Sequence, residues 1–120
     1  MTKKEFTYWS ENYNKFLNAD LIYICFNKDI FINTAKTISN KNLNTLNPDI
    51  KYGNYNSDFY SADKVIEVNF DNDKIILKTK IKHSYIDWED KKIKDLLVGE
   101  VITNTFSRKD IKSIDVRIYS

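Results

Sequence analysis

Three groups of side chains in this 120-residue chain have the types and spacing to do chemistry. Cys25 and His83 are each the single example of their type, a possible thiol nucleophile and a possible base. "DND" at 71–73 and "DWED" at 87–90 gather carboxylates as a hydrolase or a calcium loop would. Lys78, Lys80 and Lys82 alternate with Leu77, Thr79 and Ile81, which makes a row of cations on one side of a strand.

Each group has a limit. A single histidine removes two-histidine acid–base schemes and multi-histidine metal sites, and one cysteine beside it removes thiolate zinc. Cys25 lies in "LIYICF", where a small buried thiol is the expected role. His83 shares its parity with Ile75, Leu77, Ile81 and Tyr85, so it is expected on an inward face. The 71–73 acids suit a hairpin turn, where Asn and Asp tolerate unusual backbone angles. Those at 87–90 suit a helix N-terminus, with Asp87 as its cap. Neither has the central glycine and terminal glutamate of an EF-hand loop. Gly53 and Gly99 are the only glycines, so no glycine-rich phosphate loop can form, and there is no Gly-x-Ser-x-Gly. No catalytic residue, metal site or cofactor is expected.

The lysine row has two readings. Cations spaced roughly 6.7 Å apart could track phosphates. A solvated strand face with cross-strand ion pairs, Glu67 to Lys78 first, is the preferred reading, because lysines also guard exposed strands against aggregation. The formal net charge of +2 gives no broad footprint for nucleic acid or an anionic membrane.

The remaining concentration is aromatic. "KYGNYNSDFY", residues 51–60, sets Tyr52, Tyr55, Phe59 and Tyr60 among Gly53, Asn54 and Asp58. Tyrosine among small polar residues is the composition of adaptable binding loops. Tyr52, Asn54, Tyr55, Asp58 and Tyr60 are therefore the expected partner-binding residues, while Phe59 is expected to pin the segment to the core. Tyr52, Tyr55 and Phe59 also have the spacing of a short helical turn.

These residues need elements to position them. Phe6, Trp9, Tyr13, Phe16 and Leu17 form one face of an N-terminal helix, and Thr2 with Glu5 has capping-box spacing. "IEVNFDNDKIIL" (66–77) reads as a hairpin turning at Asn72–Asp73, pairing Phe70 with Ile75, Val68 with Leu77 and Ile66 with Thr79. "IYICFNKDIFI" (22–32) reads as a second hairpin turning at Asn27–Asp29; a helix running from Asp29 toward Leu43 competes with it. Residues 39–63 are polar and aperiodic, a long connection holding Pro48. A short helix is expected near 88–98, ended by Gly99, followed by strands at 100–106 and 113–119 with one wet face.

The fold predicted is α+β: one domain over 1–120, with the N-terminal helix on an antiparallel sheet of about five or six strands and the second helix near 88–98. One cysteine, no apolar leader and no long apolar run point to a cytoplasmic protein of a reducing compartment that does not enter a membrane. The expected function is binding to another protein by occlusion or sequestration, as in a toxin-neutralising immunity protein or a mobile-element inhibitor. An enzyme or ligand-pocket domain, with a small molecule near Trp9, Tyr85 and Trp88, is the alternative. Nucleic-acid binding through Lys78, Lys80 and Lys82 is the third reading.

Overall fold

The first element follows from its cap. In the computed structural model, which describes residues 1–37, 50–82, 85–87, 92–94 and 101–119, helix α1 spans Lys3–Glu11. Backbone alone is described at 33–37, 50–52, 54, 85–87 and 92–94. The Thr2 hydroxyl accepts from the Glu5 N–H at 3.1 Å, and the Glu5 carboxylate accepts from the Thr2 N–H at 3.4 Å. This is the reciprocal capping box the spacing predicts. α1 stops at Asn12, whose side-chain amide donates to the Tyr8 carbonyl at 2.7 Å. A one-turn helix, α2 (Asn14–Leu17), follows. The break turns Tyr13 out to solvent, 45% exposed, where an unbroken helix would have kept it on the inward stripe. Phe16 is fully buried. It meets Trp9 and Phe70 edge to face at 5.3 and 5.9 Å, and Phe6 meets Phe70 at 5.4 Å.

Six strands form one antiparallel sheet beneath the helices. β1 (Leu21–Thr37) lies between β2 (Ile50–Ser61) on one side and, on the other, β7 (Val101–Ser107) and β8 (Ile111–Arg117) in succession. β4 (Lys74–Lys80) pairs with β7, and β3 (Lys64–Asp71) forms the far edge. A separate two-stranded ladder joins β5 (Tyr85–Asp87) to β6 (Lys92–Lys94).

The first expected hairpin is corrected. Residues 22–32 do not turn back at Asn27–Asp29, and the competing helix does not form over 29–37; both stretches belong to the single strand β1. Its ladder with β2 is interrupted between Cys25–Asp58 and Ile30–Asn56. At the same level β7 gives way to β8 through the turn Arg108–Asp110. The polar Asn27-Lys28-Asp29 therefore solvates a bend, and the Asn27 amide donates to the Lys109 carbonyl at 2.9 Å. Inward parity survives the bend: Ile22, Ile24, Phe26, Ile30 and Ile32 are all buried.

The long connection at 39–63 is corrected in its second half, because 50–61 is strand β2. Residues 38–49, with Pro48, lie outside the described residues. The second helix is corrected as well: Lys92–Lys94 is extended, with Ile93 opposite Ile86. The Lys-Ile-Lys alternation suits a strand, and cross-strand pairing satisfies backbone groups that a helix would bond internally. Asp87, expected as a helix cap, ends β5; the rest of 88–98 lies outside the described residues.

The β3–β4 hairpin has its expected turn. Asn72 and Asp73 both have positive φ, 49° and 60°, as a two-residue type I′ turn requires. Phe70–Ile75, Val68–Leu77 and Glu67–Lys78 pair as the pattern predicts. Val65, not Ile66, faces Thr79, because a bulge leaves Ile66 half-exposed. Arg108 then ties three elements together. Its backbone N–H and its guanidinium reach Asp73, at 2.7 Å to the carbonyl and 3.2 Å to the carboxylate, and Nη1 donates to the Met1 carbonyl at 2.8 Å. The hydrogen bond from Arg108 holds the Asp73 carboxyl below its usual range. Phe106 closes the core, fully buried, with its ring 4.9 Å from Phe59 and 5.7 Å from Phe26. No helix among the described residues is long and apolar enough to cross a membrane.

Candidate partner-binding face

With Ile22, Ile24, Phe26, Ile30 and Ile32 of β1 buried, Leu21, Tyr23, Cys25 and Phe31 face outward. Tyr23 stands opposite Tyr60 and Asp115, and Cys25 opposite Asp58 and Ser113. The expected buried role of Cys25 is corrected: it is half-buried on the outer side, because Ile24 and Phe26 take the inner one. The Tyr23 hydroxyl donates to Asp58 Oδ2 at 2.9 Å. Hydrogen bonding to Cys25, and then to Asp58 with the charge of that carboxylate added, pushes the Tyr23 phenol up to about 12. Tyr23 therefore stays a neutral donor at physiological pH. Beyond the bend, Phe31 meets Tyr55 edge to face at 5.2 Å.

Of the residues expected to bind a partner, Tyr55 and Tyr60 are 72% and 61% exposed, and Asp58 is exposed between them. Tyr52 and Asn54 pair with Thr34 and Ile32 in β2; their side chains are outside the described set. The adaptable loop is thus corrected to a strand at the sheet edge, and the helical turn through Tyr52, Tyr55 and Phe59 does not form. A strand holds its tyrosines in fixed positions, which lowers the entropy lost when they are covered. Phe59 points the other way, into the core against Phe106, as expected.

The face also holds residues that composition did not single out. Tyr23 and Phe31 belong to it, and alternation in "IYICF" would have found the first. Leu21, Tyr23, Tyr60, Asp115 and Arg117 line an open groove of about 320 Å³. Asp115 pairs with Arg117 at 3.2 Å, and its hydrogen bond, followed by one from Tyr119, raises the guanidinium pKa further. The wet face expected for the last strand holds Asp115 and Arg117, both exposed.

The lysine row lies elsewhere and is corrected in its extent: Lys78 and Lys80 are on the outer side of β4, whereas Lys82 lies past its end, where its N–H donates to Asp63 Oδ1 at 3.2 Å. Lys78 pairs with Glu67 at 3.2 Å, and Asn69 donates to the same carboxylate at 2.9 Å. The Asn69 hydrogen bond first, then Lys78, holds the Glu67 carboxyl below its usual range. Lys80 and Lys82 are exposed. The register neighbours of Lys78 and Lys80 are Glu67, Thr103, Lys64 and Val101, so no aromatic residue is paired with either lysine in the ladder.

His83 and Trp88 lie outside the described residues, as does the Tyr85 side chain. Trp9 packs on Phe16 and rims a surface groove of about 460 Å³ with Lys4, Glu5, Tyr8, Ser113 and Ile114. Between the helices and the sheet, Phe16, Ile24, Ile75, Leu77 and Phe106 are fully buried against one another. Comparison with known protein families, with curated proteins and with solved structures found no match.

Proposed function

We propose that this chain is a small intracellular protein-binding module that acts by occluding or sequestering another protein, as a toxin-neutralising immunity protein or a mobile-element inhibitor does. One observation carries the reading: Phe31, Tyr55 and Tyr60 stand 48%, 72% and 61% exposed on the outer side of β1 and β2. Large rings left in water where the core is already filled are out of keeping with a free surface, whereas aromatics dominate interface centres. Tyr23 extends the same face, and strand backbone fixes the spacing between the rings.

Photo-crosslinking in the native cell tests the proposal. A photoreactive residue at Tyr55 or Tyr60 is expected to capture one protein repeatedly, and a residue placed at Lys80 is not. The captured protein, purified, is then expected to lose affinity for Tyr55→Ala or Tyr60→Ala by roughly 2 kcal/mol at one position at least. Adducts formed equally from Lys80, or an affinity indifferent to both tyrosines, would remove the basis for the proposal.

A further inference from the structure

The groove beside Tyr23 and Tyr60 is lined by one ion pair, Asp115 with Arg117, and Asp58 stands beside it, hydrogen-bonded to the Tyr23 that lines it. Asp58 and Asp115 stand on the strands that flank Tyr23, and Asp20, at the start of β1, accepts from the Tyr119 N–H at 2.7 Å. Of these three carboxylates Asp115 alone lines the groove, and Arg117, which lines it too, pairs with it. Asp58 is engaged by a neutral phenol and by no cation among the described residues.

We propose that this groove receives a lysine or arginine side chain from a basic segment of a protein partner, with its cationic head over the Tyr23 and Tyr60 rings and against Asp58. The inference rests on the protein-binding reading and adds the chemistry of the partner. The faces of two tyrosine rings attract a cation electrostatically. Asp58 then supplies the full counter-charge that the rings lack. An anionic side chain would meet Asp58 beside the rings, and Arg117, the cation in the lining, is already paired with Asp115. An apolar one would cover Asp58 and leave its charge without a partner, which is costly. The wall formed by Arg117 can give way, since its pair with Asp115 is exposed on both sides, 60% and 53%, and such pairs are weak.

The test uses the full chain, a capped Gly-Arg-Gly-Arg-Gly peptide and the same peptide with citrulline in place of arginine. Citrulline keeps the shape and removes the charge. In amide NMR spectra the arginine peptide is expected to shift Tyr23, Asp58, Tyr60 and Asp115 along one saturable curve, and the citrulline peptide is not. Tyr60→Leu and Asp58→Asn are each expected to weaken that binding about two- to fivefold, while Tyr60→Phe, which keeps the ring, preserves it. Unfolding midpoints of the variants confirm that each is folded. Equal shifts from both peptides would overturn the proposal. So would unsaturable shifts spread over all the carboxylates, or the same shifts on concentrating the protein alone, which would make a second copy the occupant. The crosslinked partner separates the two readings. If Tyr60→Ala weakens that complex while Asp58→Asn and Asp115→Asn do not, the aromatic interface stands and the cation groove falls. If none of the three has an effect, both fall.

Discussion

Two outer surfaces of the same sheet are built on different plans. On β4 and just past its end, Lys78 is paired with Glu67, Lys80 and Lys82 are exposed, and the register neighbours of Lys78 and Lys80 are aliphatic or polar. On β1 and β2, Phe31, Tyr55 and Tyr60 stand exposed, with half-buried Tyr23 and the exposed Asp58 on the same side. The first surface is complete in water. The second exposes apolar area that water solvates poorly, and its strand geometry holds that area in place. Charge rows attract attention in a sequence because they are periodic. Here the surface with the exposed rings is the one whose residues are individually unremarkable and become a group only when a bent strand brings them together.

The largest effect expected within this comparison lies under the lysine row. Leu77→Ala, at a fully buried site, is predicted to cost roughly 2–5 kcal/mol in urea unfolding, while its outward neighbour in Lys78→Gln changes stability by less than about 1 kcal/mol. A smaller loss is expected on the aromatic side from Gly53→Ala. A Cβ at that position would lie 2.5 Å from the Phe31 ring and 2.6 Å from the Ile32 carbonyl oxygen, so the ring and the backbone must both move. Overpacking of this kind costs roughly 1–3 kcal/mol, and a variant melting like wild type would show that Phe31 does not cover the strand. The smallest effect is electrostatic. The Tyr23 phenol is raised from 10.0 to about 12, so the folded state favours its neutral form. Its contribution is complete below pH 10 and is lost as pH rises through about 12. Ultraviolet titration is expected to show one phenol ionising about two pH units late, and Tyr23→Phe to abolish that component. Ionisation of every tyrosine near pH 10 would mean that the Tyr23–Asp58 bond does not form.

Local patterns carried much of the fold. The Thr2–Glu5 capping box and the Asn72–Asp73 turn are each written within a few residues, and both form as their chemistry dictates. What escaped was decided at long range. Asn27-Lys28-Asp29 has the composition of a turn, but β2 and the β7–β8 pair run past it on both sides and stretch it into a bend. β2 itself is rich in Asn, Ser and Tyr, with a glycine, and its strand character comes from pairing with β1. Lys92–Lys94 is too short to reveal whether period two or period 3.6 prevails. For the candidate face, Tyr55, Tyr60 and Asp58 were legible from composition, but Tyr23 and Phe31 join them only once β1 is known to be one strand. Arg117 and Asp115 were legible as wet-face residues, and their place beside Tyr60 follows from the strand order.

Adjacent residues of β2 test the central claim most directly. Phe59 points into the core and Tyr60 out of it. The measurement is the urea midpoint and the affinity for the crosslinked partner on Phe59→Ala, Tyr60→Ala and Tyr55→Ala. Phe59→Ala is predicted to lose roughly 2–4 kcal/mol of stability, with partner affinity of the folded fraction unchanged. Tyr60→Ala and Tyr55→Ala are predicted to stay within about 0.5 kcal/mol of wild-type stability, with at least one of them losing roughly 2 kcal/mol of binding. Tyrosine variants that unfold as readily as Phe59→Ala and bind as tightly as wild type would contradict the account, because those rings would then brace the strand rather than meet a partner.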